Sequence, residues 1–312
     1  MADTLQSLAD SVKINDVSVR DLGARDVFND APFLAQLITT TASNGTVHKY
    51  LKEATAPTVG FRAANVGIDV VVGSDTLVTV DLKYLDGTVR MDKALADVGK
   101  GRDYQLSRQA MRNLRQALYN AEDQVINGTS GSGFNGLMQA LAALGTMCIT
   151  AGGSAARSSV YMVRSTPDER DFMAVIGNDG NISMGEYYES LINEAATGRQ
   201  FTGYVLPISG WLSIQLGGSR SIARLANIGT TVGTNSLTDD FLSQLFDTFP
   251  ASAPPTHIIM NRRSRGQLQR SRSNVNVNGK SLFNQYTPTP TDWNGIPIVC
   301  VETIGNAETA VA

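Results

Sequence analysis

The feature that most constrains the fold is a long amphipathic segment over residues 103–127. Apolar residues recur there three or four positions apart, as one face of an α-helix requires, and arginines fall on the other faces. Gly128 follows directly and is a suitable helix stop. A helix of about 25 residues is roughly 37 Å long, which exceeds the average helix of a globular protein. We interpret this helix as a structural strut.

Two runs of alternating apolar residues lie upstream of the helix. The first run carries Val66, Ile68, Val70 and Val72, and the second carries Val78, Val80, Leu82 and Tyr84. Gly73, Ser74 and Asp75 separate the runs, so the pattern predicts a long β-hairpin with its turn at these three residues. Because an isolated hairpin is marginally stable in water, it must pack on its own domain or on another subunit.

The rest of the chain mixes helices and strands. Residues 1–57 show little periodicity beyond a short helix near Phe33, and they are either a disordered segment or an arm that lies across a neighbour. Downstream, the patterns predict helices over 137–144, 237–249 and 263–270, strands over 158–163 and 172–176, a buried strand in PTHIIMN, and a turn and strand in WNGIPIVCVETI. Without regular βα alternation, this order indicates an α+β fold.

Composition excludes several classes of protein. Of the 312 residues, 42% are hydrophobic and 18% are charged, which is typical of a folded chain. The net charge of -3 gives no overall attraction to nucleic acid or to an anionic membrane. No apolar run reaches the roughly 18 residues of a membrane span, so no membrane partner is expected. The two cysteines, Cys148 and Cys300, lack metal or redox spacing and are interpreted as small buried residues.

One glycine motif resembles a nucleotide-binding loop. Residues Gly131–Gly136 match GxGxxG and run into the helix predicted at 137. A dinucleotide loop follows a strand, whereas here a long helix precedes the glycines, so a nucleotide-binding enzyme is the less favoured alternative. The two histidines, His48 and His257, lack partners at ligand spacing and are interpreted as polar surface or interface residues. We therefore predict no catalytic, cofactor-binding or metal-binding residue, no cofactor, and a protein that is not an enzyme.

The strongest local charge lies in the segment NRRSRGQLQRSR. Its basic residues are Arg262, Arg263, Arg265, Arg270 and Arg272. The favoured interpretation is a solvated helix face or a set of inter-subunit salt bridges. The alternative is contact with the phosphates of DNA.

The order of these elements resembles the major capsid proteins of tailed bacteriophages, which have the Hong Kong 97-like fold. The likeness is carried by EATAPTVGFRAAN before the hairpin, NAEDQVINGTSGSGFNGL at the end of the helix, THIIMNRRSRGQLQRS and WNGIPIVCVETI. In the middle, SSVYMVR, GYVLPISGW and SRSIARLANIG resemble a segment that a subset of these proteins carries in the axial domain. The resemblance covers nearly the whole chain.

The resemblance implies a division into domains. Residues 1–57 would be the N-terminal arm and 58–97 the extended loop, a β-hairpin. The peripheral domain would comprise 98–136 and 273–291, with the spine helix at 103–127. The axial domain would comprise 137–272 and 292–312, with a β-rich insertion at about 157–230.

The same resemblance implies the function. The chain would self-assemble into hexamers and pentamers of an icosahedral shell around double-stranded DNA, with portal and possible scaffolding or decoration proteins as further partners. It would be made in the cytoplasm of the bacterial host and reside in the virion. The expected inter-subunit contacts are Phe61, Arg62, Gly73, Ser74, Asp75, Lys83 and Arg90. The alternative is another phage structural protein, a tail-tube or decoration subunit, although the long helix argues against a mostly β tail tube.

Overall fold

The computed structural model describes residues 31–67, 72–98, 101–131, 133–168, 171–177, 183–194, 198–230, 235–273 and 288–312. The chain forms two compact units. The first unit contains the described residues of 84–122 and 180–211, and the second contains those of 32–83, 123–179 and 212–312. Most of the predicted arm, part of the first predicted hairpin strand and most of the segment 273–291 lie outside the described residues.

Strands and helices alternate irregularly along the chain, as expected for an α+β fold. A short 3-10 helix (Leu34–Gln36) comes first. The strands are β1 (Thr39–Thr41), β2 (Val47–Thr55), β3 (Ser74–Asp81), β4 (Lys83–Asp86), β5 (Val89–Asp92), β6 (Cys148–Thr150), β7 (Ser158–Val163), β8 (Phe172–Ile176), β9 (Ser183–Met184), β10 (Tyr188–Asn193), β11 (Gln200–Leu206), β12 (Ile208–Leu216), β13 (Ile222–Ile228), β14 (His257–Met260), β15 (Asp292–Trp293) and β16 (Ile296–Cys300). The helices are α1 (Lys93–Ala96), α2 (Arg102–Asn127), α3 (Leu137–Ala140), α4 (Asp239–Phe246) and α5 (Arg262–Ser273).

In the first unit, the apolar face of α2 packs on a small antiparallel sheet of β10, β11 and β5. Leu106 and Ala110 of the helix are buried against sheet residues that include Met91 and Tyr204, which face each other across β5 and β11. The buried side of the helix is the apolar stripe that its periodicity predicts. The strands of 188–206 therefore pair with β5, and the assignment of the insertion to an axial domain stays a prediction.

The second unit is built on a six-stranded sheet in the order β15-β16-β14-β7-β13-β6. Every residue of β7 and β13 is buried, because other strands flank each of them and the helices α4 and α5 add Leu242, Leu245 and Leu268 to the same core. Thr238 caps α4 by accepting a hydrogen bond from the amide of Phe241. Strands buried on both faces tend to be rich in apolar residues, which is why the strand at 158–163 was predictable, whereas β13, which carries Arg224 and Asn227, was not predicted.

The C-terminal residues are held inside the second unit by polar side chains. Asn227 of β13 donates to the carbonyl of Val311 at 2.8 Å and accepts from its amide at 3.1 Å. Arg224, on the same strand, pairs with Glu308 at 2.9 Å, and both side chains are buried. The last residues of the chain are therefore an integral part of this unit.

The hairpin differs from the prediction. β3 pairs antiparallel with β2, so that Val78 lies opposite Tyr50 and Leu77 opposite Leu51. The predicted turn at Gly73–Asp75 was therefore wrong, because Ser74 already pairs with Thr55, and residues 68–71 of the first predicted strand lie outside the described residues. The described residues between the two strands, 56–67, 72 and 73, are called the hairpin tip below.

The glycine loop after α2 wraps the end of that helix. The Gln124 side-chain amide donates to the carbonyl of Phe134 at 2.6 Å, and the amide of Gly136 donates to the carbonyl of Gly128 at 2.9 Å. A Cβ at Gly136 would lie 2.7 Å from the carbonyl oxygens of Gln124 and Val125. The glycines therefore permit close backbone packing, which argues against a nucleotide site in this loop.

Gly136→Ala is expected to lower the free energy of unfolding by about 1–3 kcal/mol, because the added methyl group meets backbone atoms that cannot move aside. Gly131→Ala is the matched control, since its Cβ meets nothing within 4 Å. Urea denaturation of dissociated subunits measures both variants. Equal stability of the two would show that close packing does not explain the glycine at 136.

Candidate assembly surface

The base of the hairpin is fixed to the second unit by two polar side chains. His48 Nε2 lies 2.7 Å from Gln215 Oε1, and the Tyr50 hydroxyl donates to the carbonyl of Leu216 at 2.9 Å. Burial raises the pKa of Tyr50 despite that hydrogen bond, so the phenol stays protonated at neutral pH. His48, interpreted from the sequence as a polar surface or interface residue, is instead buried against Gln215 of its own chain. The hairpin is therefore anchored at its base.

The other face and the tip of the hairpin expose apolar side chains. Leu51 and Leu77 form a cross-strand pair and are 69% and 57% exposed. In the tip, Val59 is 90% exposed and Phe61 is fully exposed. Exposed apolar side chains grouped in this way mark a candidate interaction site. The hairpin therefore presents apolar side chains that the described residues of the chain leave uncovered.

Exposed large apolar side chains are concentrated in two places. Among the described residues, all of them except Leu144 lie either on the hairpin or in the first unit. Those on the hairpin are Leu51, Val59, Phe61, Val66, Val72 and Leu77. Most of the exposed large apolar side chains of the described residues therefore belong to the hairpin or to the first unit.

The residues predicted as inter-subunit contacts do not form one group. Phe61 and Arg62 lie exposed in the tip, and Gly73 lies where the tip narrows, because a Cβ there would meet Pro57 and Thr55 at 3.1 and 3.2 Å. Ser74 and Asp75 are exposed at the start of β3. Lys83 begins β4, beyond the hairpin, and Arg90 lies in β5 of the first unit. The first five thus share the outer hairpin, and the last two do not.

The predicted basic patch is not one free surface. On α5, Arg263 donates to the carbonyls of Ala156 at 2.7 Å and Ile228 at 3.1 Å, and Arg272 makes a bidentate pair with Asp239 at 2.6 and 2.8 Å. Burial lowers the pKa of Arg263. Arg262 and Arg270 are exposed, and Arg265 is half-buried. Two of the five arginines therefore stabilise the fold through contacts within the chain. The prediction of a single basic patch is corrected accordingly.

Arg263→Ala is expected to lower the free energy of unfolding by about 1–3 kcal/mol, since it removes two charged hydrogen bonds to backbone carbonyls. Arg270→Ala, at an exposed position of the same helix, is expected to stay within about 0.5 kcal/mol of the parent chain. Chemical denaturation compares them. Similar losses for both arginines would contradict this structural role.

The described part of the chain carries no sign of a metal site or of a membrane span. No group of three or more His, Cys, Asp or Glu side chains there could hold a metal ion. Likewise, none of the described helices combines the length and the hydropathy needed to cross a bilayer. Both cysteines are free thiols; Cys148 is buried and Cys300 is half-buried.

Comparison with known proteins decides the family. The family model of major capsid protein GP7 matches residues 27–312. The chain belongs to the major capsid protein GP7 family. The predicted function, a capsid protein that forms a shell, is thereby confirmed, and the alternatives of a tail-tube subunit, a decoration subunit or a nucleotide-binding enzyme are not favoured.

Solved structures give the fold of this major capsid protein. A chain of bacteriophage Epsilon15 matches with a TM-score of 0.78 at 20% identity, covering 100% of this chain and 98% of that one. The capsid of bacteriophage JBD30 matches with a TM-score of 0.50 at 10% identity, covering 96% and 99%. No curated protein matches by sequence. The predicted Hong Kong 97-like fold is confirmed, and as a capsid protein the chain is a component of the virion.

Sequence reasoning missed several exposed residues of this major capsid protein. Leu51 falls in the predicted arm, and no contact was predicted at Leu77 or Trp211, yet all three are exposed. The available signal for Leu51 was weak, because the strand VHKYLKEAT places it among charged residues. If β2 had been recognised as a strand, the hairpin would have been predicted correctly as the pair β2 and β3.

Proposed function

We propose that this capsid protein assembles into hexamers and pentamers that close an icosahedral shell around double-stranded DNA. In this proposal the hairpin is the extended loop and lies across a neighbouring subunit. The observation that carries it is the exposed apolar tip, with Val59 and Phe61, on a hairpin whose base is anchored by His48 and Tyr50. A surface that the described part of its own chain leaves uncovered gains burial on another copy.

The mechanism is physical and requires no catalysis by the chain. Covering one large apolar side chain contributes about 1.5–3 kcal/mol, so a few tip residues support a contact of modest affinity. Each subunit of a closed shell makes such a contact and receives one. Repetition of modest contacts around rings of six and five then gives a durable shell, in which no single contact must be strong.

The remaining assignments follow from the same proposal. Helix α2 would be the spine of a peripheral domain, and the six-stranded sheet would form the core of an axial domain. Portal, scaffolding or decoration proteins would meet the assembled shell, and assembly would take place in the cytoplasm of the bacterial host. Contact with DNA would be local and non-specific, with the exposed arginines Arg262 and Arg270 as the remaining candidates on α5.

Electron microscopy and sedimentation velocity of the full chain, expressed alone and together with its neighbouring open reading frames, test the proposal. Closed polyhedral shells, or rings of six and five subunits, are the expected products. Nuclease-protected double-stranded DNA in particles made with the packaging proteins would support the second half of the proposal. Tubes, trimers, or monomers under every assembly condition would overturn it.

A further inference from the structure

We propose that the hairpin tip of one subunit docks against the exposed aromatic pair Tyr84 and Trp211 of a second copy of the chain. The inference rests on the proposed function and names the surface that receives the hairpin. Phe61 would be the central side chain of the contact, and Arg62 would lie at its edge.

The receiving pair lies on neighbouring strands of the first unit. Tyr84 belongs to β4 and Trp211 to β12, and their rings meet edge to face with centroids 5.1 Å apart. Trp211 is 39% exposed and Tyr84 is 53% exposed. Neither side chain makes a hydrogen bond to another residue that the structure describes. Tryptophan and tyrosine are the residues that most often anchor protein interfaces, because they combine a large apolar area with few rotatable bonds.

Other exposed aromatic residues of the first unit are less suited to receive the tip. Tyr187 is 40% exposed, but its ring already contacts the guanidinium of Arg102 at 4.9 Å and the ring of Tyr204 at 5.9 Å. Tyr188 and Leu191 lie on β10, on either side of Glu189, which forms a salt bridge with Lys93 at 2.8 Å. An apolar tip placed there would remove water from that ion pair, at a cost in free energy. The edge of β10 is therefore the rival surface, and Tyr84 with Trp211 is the favoured one.

The tip carries an exposed aromatic ring and a positive charge, both of which can interact with the surface around the aromatic pair. Phe61 protrudes fully exposed between Gly60 and Arg62, so its ring can reach a partner without moving the strands. Aromatic side chains attract each other beyond their buried area, and an arginine beside a tryptophan ring adds a cation–π contribution. Asp86 is two residues from Tyr84 along β4, so both side chains leave the same face of that strand. Oδ1 of Asp86 already accepts hydrogen bonds from the amide and the hydroxyl of Thr88, so Oδ2 is the atom that would accept from Arg62.

The first test compares single and double substitutions in assembly. Phe61→Ser and Trp211→Ser are each expected to raise the critical concentration for shell formation at least tenfold, measured by sedimentation. The critical concentration of the double variant is expected to be no more than about twofold above that of either single variant, because both substitutions remove the same contact. Met111→Ser, at an exposed apolar position of α2, is the control and should assemble normally. Circular dichroism checks that each variant folds.

A cross-link gives a readout that does not depend on the stability of the variants. Phe61→Cys and Trp211→Cys are combined in a Cys300→Ser background, since Cys148 is buried and Cys300 is half-buried. A short bifunctional maleimide added to assembled shells should then yield ladders of linked subunits, and either cysteine alone should not. Linkage from residue 61 to a cysteine at Leu191 instead of 211 would overturn the inference.

The outcomes separate this inference from the proposed function. If Phe61→Ser impairs assembly while Trp211→Ser does not, and no 61–211 linkage forms, the receiving surface is elsewhere and the role of the hairpin stands. If Phe61→Ser and a chain without the tip both form normal shells, the hairpin has no assembly role and both proposals fail.

Discussion

Replacing Arg224 by Met is expected to lower the free energy of unfolding by about 3–5 kcal/mol. The Arg224 side chain is 2% exposed, and its guanidinium donates to Ser159 Oγ at 3.0 Å, to the carbonyl of Leu141 at 2.9 Å and to Glu308 Oε2 at 2.9 Å. Removing it leaves the carboxylate of Glu308 buried without its counter-ion. Urea denaturation of subunits held below the assembly concentration measures the loss.

Two comparisons make the prediction specific. Arg224→Met combined with Glu308→Gln is expected to be more stable than Arg224→Met alone, because the unpaired buried charge is gone. Lys93→Met removes one partner of an exposed salt bridge with Glu189 and should leave the denaturation midpoint nearly unchanged. If Arg224→Met shifts the midpoint no further than Lys93→Met does, the buried pair does not hold the C-terminal residues as described above.

Replacing residues 58–72 by a short Gly-Ser linker is expected to abolish closed shells while leaving folded subunits. The replacement removes Val59, Phe61, Val66 and Val72 from the exposed surface but leaves the paired strands and the anchors His48 and Tyr50 in place. With about 1.5–3 kcal/mol lost for each covered side chain, the contact between subunits falls below the strength that assembly needs. Electron microscopy and sedimentation give the readout.

A conservative change in the same segment is the control. Thr58→Ser keeps the length and the apolar residues of the tip, and shells should form as in the parent chain. Circular dichroism of the tip-replaced chain should match that of unassembled parent subunits. Shells of normal size from the tip-replaced chain would contradict the role of the hairpin in assembly.

Elements whose pattern is local were predictable from the sequence. The helix predicted over 103–127 spans Arg102–Asn127, because a long amphipathic stripe with a glycine stop has few alternatives. The strands predicted at 158–163 and 172–176 coincide with β7 and β8, since strands buried on both faces carry continuous apolar runs. In these elements the residues that become buried are close together in the sequence, so their apolar pattern can be recognised directly.

The hairpin partner was not predictable by the same reasoning. β2 is solvent-exposed along much of its length, so Lys49, Lys52 and Glu53 interrupt its alternation, whereas the valines at 66–72 alternate regularly. Alternation of apolar and polar residues indicates a strand with one buried face. A hairpin that projects from its domain buries little of either face, so its strands need not show that alternation. The position of an assembly surface is therefore weakly encoded in the pattern of the isolated chain.

Long-range polar contacts were also beyond sequence reasoning. Arg224 lies within a wholly buried strand, where a charged residue is not expected, and its partner Glu308 is far along the chain. The arginines of α5 show the reverse case, in which a basic segment suggested a partner outside the chain. In the structure, Arg263 binds two carbonyls and Arg272 binds a carboxylate of their own chain. Such pairings depend on the tertiary arrangement and not on spacing.

A three-dimensional electron cryo-microscopy reconstruction of shells assembled from the full chain tests the central claim most directly. The account predicts rings of six and five subunits in which residues 47–81 of each subunit cross to a neighbour and Phe61 is covered by that neighbour. A shell in which the hairpin contacts only its own subunit, with Phe61 still exposed to solvent, would contradict it.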